Sequence, residues 1–103
     1  MPNQLTAEIV TFRARPGISP QDMRMRAEAL GPWLAACPGF LSRHLSLADD
    51  GTWTDHVIWA QADQAKSAGD KIMAEPSAAS FIATIDGASV TMSHAPVYVR
   101  QTA

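Results

Sequence analysis

Apolar and polar residues alternate along two neighbouring stretches, residues 40–48 and 52–60. Odd positions are mostly apolar: Leu41, Leu45, Leu47, then Trp53, Val57 and Trp59. Even positions are mostly polar: Ser42, His44, Ser46, then Thr54 and His56. A period of two marks half-buried strands. Directly opposed residues of an antiparallel pair share a face, so odd residues must meet odd ones. A three-residue loop, Asp49-Asp50-Gly51 with Gly51 left-handed, satisfies this and makes His44 and His56 direct cross-strand neighbours. A two-residue Asp50-Gly51 loop would set Trp59 beside Ser42 and split the apolar face.

Residues 4–14, QLTAEIVTFRA, are β-branched and aromatic, with Ile9, Val10 and Phe12 apolar on both sides, which predicts an inner strand. Ser19-Pro20-Gln21-Asp22 reads as a helix start, with serine as the cap and proline in the first turn. Met23, Ala27, Leu30 and Leu34 follow at helical spacing. Gly31-Pro32 predicts a kink or restart, and Pro38-Gly39 a stop. Residues 63–75 predict a helix beginning at Asp63, with Ala65, Ala68 and Ile72 on one side. Residues 78–85 predict a second, short helix presenting Phe81, Ile82 and Ile85. Residues 88–99 predict the last strand, in which Pro96 demands a bulge or a sheet edge. The order is strand, helix, strand, strand, helices, strand. It predicts an α+β, ferredoxin-like βαββαβ fold: a four-stranded antiparallel sheet, helices on one face and the other face bare in a monomer.

Length narrows this to one domain spanning residues 1–103, small enough to leave apolar area for a partner subunit. The net charge of −2 is mild. Five arginines against Glu8, Asp22 and Glu28 make residues 1–45 net positive, and the remainder is net negative. Neither nucleic acid nor an anionic membrane is an expected partner. The lone cysteine, Cys37, excludes an internal disulfide and suggests a reducing compartment. The opening MPNQLTAEIVTF has no basic stretch ahead of an apolar core, and no apolar run reaches the roughly 20 residues of a membrane span. A cytoplasmic protein is expected. A glycine-rich phosphate loop, HExxH, CxxC and GxSxG are all missing from the sequence, so the matching nucleotide, zinc-protease, thiol-redox and hydrolase readings have no support.

An opening strand running into Arg15-Pro16-Gly17, a helix closed by Pro38-Gly39-Phe40, a strand ending in Trp59, helices and a final strand together resemble the dimeric α+β barrel superfamily. Within it, the chain resembles the antibiotic biosynthesis monooxygenase family. The resemblance implies a homodimer whose two sheets pack face to face into a barrel. It also implies a pocket between each sheet and its own helices, and oxygenation of phenols or quinols with neither metal nor flavin. Some relatives degrade haem, using an asparagine on the first strand and an axial histidine after the tryptophan. Here those positions fall near Val10 and Gly69-Asp70, so haem degradation is not expected.

The candidate residues follow. On the resemblance, His44 and His56 face the dimer interior. They would form a hydrogen-bonded patch with Ser42, Ser46 and Thr54, or else half of a ligand or metal site shared by two subunits. Two imidazoles fall short of the three or four ligands a metal needs, so no metal is assigned. If Val90 and Met92 face the helices, His94 does too; it is then either a general base for a phenolic proton or a solvent-facing strand histidine. Trp59, Val10, Phe12 and Trp33 are expected to line the substrate pocket, with Trp53 as rim packing. Glu8 shares their side, either meeting an arginine or water at a strand end or serving as a pocket acid. Arg13 and Arg43 are expected to pair with Asp55 across the dimer, and Cys37 to be a small buried filler. The function expected is a cofactor-independent monooxygenase acting on a small phenolic or quinol-type aromatic. The alternative is a non-catalytic dimer that binds a small ligand.

Overall fold

The computed structural model describes residues 4–103; Met1, Pro2 and Asn3, the start of the opening stretch expected to hold no signal peptide, lie outside the described residues. Strand β1 (Thr6–Phe12) leads into helix α1 (Pro20–Ala29) and helix α2 (Gly31–Ala36). The hairpin strands β2 (Phe40–Leu47) and β3 (Trp53–Trp59) follow. Helix α3 (Ala62–Ile72), the short helix α4 (Ala79–Ile82) and strand β4 (Thr91–Pro96) complete the chain, with single 3₁₀ turns at Pro76–Ala78 and Gly87–Ser89. The sheet is antiparallel in the order β2-β3-β1-β4, so β1 is inner and Pro96 lies on an edge strand. The helices cover one face.

The local chemistry behaves as the sequence suggests. Ser19 caps α1 by accepting from the Asp22 amide at 3.0 Å. Helix α1 ends at Ala29 and α2 restarts at Gly31 with Pro32 in its first turn. Gly51 has φ +89° in the Asp49-Asp50-Gly51 loop, and His44 lies directly opposite His56. Phe12, Met23, Leu30, Leu34, Trp53, Val57, Trp59 and Phe81 form the core between sheet and helices.

Four expectations need correction. A bulge between Phe40 and Ser42 shifts the register of β2, so Phe40 meets Trp59 while Leu41 turns outward and is exposed. The helix expected over 78–85 is a 3₁₀ turn followed by a single α-turn, because Thr84 ends it: its hydroxyl donates back to the Phe81 carbonyl at 2.6 Å. The last strand is shorter than expected and stops at Pro96. Finally, Arg43 pairs with Asp55 inside the same chain, on the helix face, and Arg13 instead donates to the Asp50 carbonyl at 2.8 Å.

Candidate functional site

Between the sheet and its helices lies a cavity of about 350 Å³. Even positions of β1 and odd positions of β3 point into it, since Glu8 lies opposite Val57 and Val10 opposite Asp55. Val10, Phe12, Val57 and Trp59 form the sheet side. Leu30, Trp33 and Leu34 close one flank, and Ala68, Gly69 and Ile72 of α3 another. Small residues on α3 are what leave the space: a methyl group built on Gly69 would touch nothing within 4 Å. The exposed Met73 and Met92 stand at the rim. An apolar cavity of this size with a few polar groups suits a small aromatic ligand.

Apart from Arg15 in the loop after β1, those polar groups occupy two places. At one, Trp59 donates its indole N–H to Glu8 Oε1 at 3.2 Å, and His94 Nε2 lies 2.9 Å from Glu8 Oε2. The Glu8 side chain is only 12% exposed, and burying a carboxylate is costly unless hydrogen bonds replace water; the Trp59 N–H supplies one, and His94 in its Nε2–H form a second. Glu8 and His94 are directly paired across β1 and β4, so backbone register sets their contact. At the other place, Arg43 Nε and Nη2 donate to Asp55 at 2.9 and 2.7 Å, and Nη1 donates to the Ala27 carbonyl at 2.9 Å. The guanidinium also sits over the Phe81 ring, 5.3 Å from its centroid.

The structure brings Trp59, Val10, Phe12 and Trp33 together around the cavity. His94 lies on the same side of the sheet, but Glu8 stands between it and the cavity. The imidazole lines two outer hollows instead, beside Lys66 and Asp70 in one and Gln61 and Asp63 in the other. His44 and His56 are on the opposite, helix-free face, away from the cavity. Among the described residues no three histidine, cysteine, aspartate or glutamate side chains gather as metal ligands would. Cys37 is half-buried; burial pushes its thiol up, which makes it a poor nucleophile.

The pairing of Arg43 with Asp55 was readable in principle. Both are odd-numbered, and parity puts two opposite charges one diagonal step apart on an apolar face. A charge there needs a partner.

The chain is similar along nearly its whole length to SnoaB, a cofactor-independent oxygenase from Streptomyces nogalater. Identity is 19%, 96% of each chain is covered, and the TM-score is 0.62. It is similar also to the monooxygenase from the gene ActVA-Orf6 of Streptomyces coelicolor, solved in complex with nanaomycin D. There identity is 18%, coverage is 98% of this chain and 93% of that one, and the TM-score is 0.66. The fold is that of the antibiotic biosynthesis monooxygenase-like proteins. The same fold is found in NE2512, a protein of unknown function from Nitrosomonas europaea, at 14% identity, with 100% of this chain and 98% of that one covered and a TM-score of 0.71. No family model matches the sequence, and no curated protein does. Fold does not fix chemistry, so activity has to be argued from the cavity.

Proposed function

We propose that the chain is a monooxygenase that needs no cofactor and oxidises a small phenolic or quinol-type aromatic in the cavity between sheet and helices. The observation that carries this reading is the cavity itself: apolar, aromatic-walled, and holding a carboxylate that is nearly shut off from solvent. A deprotonated quinol is electron-rich enough to reduce dioxygen directly. The protein then needs to supply orientation, dryness and a base. The reaction balances without an added reductant: a hydroquinone and O₂ give a hydroxyquinone and water. One oxygen atom enters the ring and the other leaves as water, and all four electrons come from the substrate. Val10, Phe12, Trp33 and Trp59 hold the ring; the Glu8–His94 end receives its hydroxyl. The likeness to a cofactor-independent oxygenase adds support.

The working form is a homodimer in which two helix-free faces meet. That face carries Ala7, Ile9 and Ile58 with His44 and His56, and Tyr98 and Val99 beyond β4 are 88% and 83% exposed.

An oxygen electrode run with a panel of benzo- and naphthohydroquinones, followed by ¹⁸O₂ and mass spectrometry, tests the reading. The expected result is uptake above autoxidation and one labelled oxygen per product. A plain quinone with hydrogen peroxide would make the protein an oxidase. The competing reading, a non-catalytic ligand-binding dimer, draws on the absence of His94 from the cavity wall; binding with no uptake would establish it.

A further inference from the structure

The expectation that His94 acts on the substrate meets a geometric obstacle, because a carboxylate intervenes. We infer that Glu8 is the group that takes the hydroxyl proton of a phenol bound in the cavity, and that Trp59 and His94 are positioning residues that aim it. The inference rests on the phenol-oxidising reading and names the residue that performs its first step.

Three observations carry it. Glu8 lines the cavity and His94 does not. Its two oxygens are each held by a different N–H group, Oε1 by Trp59 and Oε2 by His94. A carboxylate offers about four lone-pair sites, so two remain for a ligand after these contacts. Trp59 is 1% exposed in the core, and the β1–β4 ladder sets His94 directly opposite Glu8. An N–H donor holds a carboxylate without competing for the substrate's proton. His94 in its Nε2–H form fits that role. In the step itself, the phenolic O–H bond breaks, the proton passes to a free lone pair of Glu8, and the bonding electrons stay on the phenolate oxygen. The carboxyl later returns that proton to the oxygen atom leaving as water, whose second proton is the one lost from the ring carbon that has gained the other oxygen.

Calorimetric titration with 2-naphthol and with its methyl ether, 2-methoxynaphthalene, reads the contact without needing turnover. Wild-type protein should prefer the naphthol by about tenfold or more, the worth of one hydrogen bond to a buried charge. Glu8→Leu should bring the two affinities together, and Glu8→Gln, which keeps shape and an acceptor, should fall between. Equal affinities in wild type, or an unchanged preference in both variants, would overturn the inference. In oxygen uptake with a hydroquinone, Glu8→Gln should lose about a hundredfold or more in kcat. His94→Ala should lose less and recover with added imidazole, for which the outer hollow has room. Wild-type rates in Glu8→Gln overturn the base role, and His94→Ala loss that imidazole does not relieve overturns the positioning role. If wild type shows the binding preference with no uptake, the oxygenase reading falls, taking the base role with it, while the Glu8 contact stands.

Discussion

Arg43 is the most heavily engaged side chain among the described residues. It donates to both oxygens of Asp55 and to the Ala27 carbonyl, and covers Phe81, so one guanidinium ties β2, β3, α1 and α4 together. Both partners are almost buried, at 13% and 11% side-chain exposure. Removing one leaves the other charge unpaired in a dry place. Asp55→Ala should therefore cost about 3–5 kcal/mol in urea unfolding, and Arg43→Met with Asp55→Leu should restore most of it. Asp50 shows the opposite, exposed case. The Thr52 backbone N–H, donating at 3.0 Å, holds its carboxyl below the usual carboxylate range. A lowered value means the charged form is favoured by folding, so the benefit is present at neutral pH and lost as pH falls through the folded value. The stability gap between wild type and Asp50→Ala should accordingly close on acidification, as followed by thermal melts across a pH series.

At the level of elements, the hairpin was the most legible part of the chain. Alternation fixed its faces, and Asp49-Asp50-Gly51 supplied the loop geometry, which together determine the His44–His56 pairing. The bulge at Leu41 was not legible, because an apolar residue there satisfies the alternation whether it points in or out. The bulge follows a tight loop: Gly39 has φ +83° and lies against Gln64 of α3, and Phe40 stands edge-on to Trp59 with ring centroids 5.8 Å apart. Gly39→Ala should cost about 1–2 kcal/mol from the left-handed backbone alone, and more from overlap with Gln64, measurable as a lowered Tm. Helix α4 was over-read for a related reason. Phe81, Ile82 and Ile85 have helical spacing, but the Thr84 hydroxyl competes for the backbone, a local event that an apolar period does not record. The cavity wall of Val10, Phe12, Trp33 and Trp59 could be assembled from strand parity and the family resemblance. The place of Glu8 between His94 and that wall depends on the β1–β4 register, which the weakly patterned last strand does not reveal.

At the scale of the whole molecule, the sheet is dressed on one side only. The proposed dimer would bury the other side, so Ile9→Lys, at the centre of the inner strand, should shift the protein to monomers in analytical ultracentrifugation while the monomer keeps its far-UV spectrum. A wild-type protein that sediments as a monomer at micromolar concentration would remove that proposal. The cavity lies on the other side of the sheet, between the strands and their own helices. Its polar groups hang from a stiff floor of paired strands: Glu8 on β1, Asp55 and Trp59 on β3, Arg43 on β2. Its roof is made of short helices and turns, with Arg15 as the charged residue among them. Floor and roof can then change independently. Exchanging Trp33, Gly69, Ile72 or Ile82 redraws the shape of what fits beneath, while the apparatus underneath keeps its spacing, so the same scaffold can be turned toward new guests without being rebuilt.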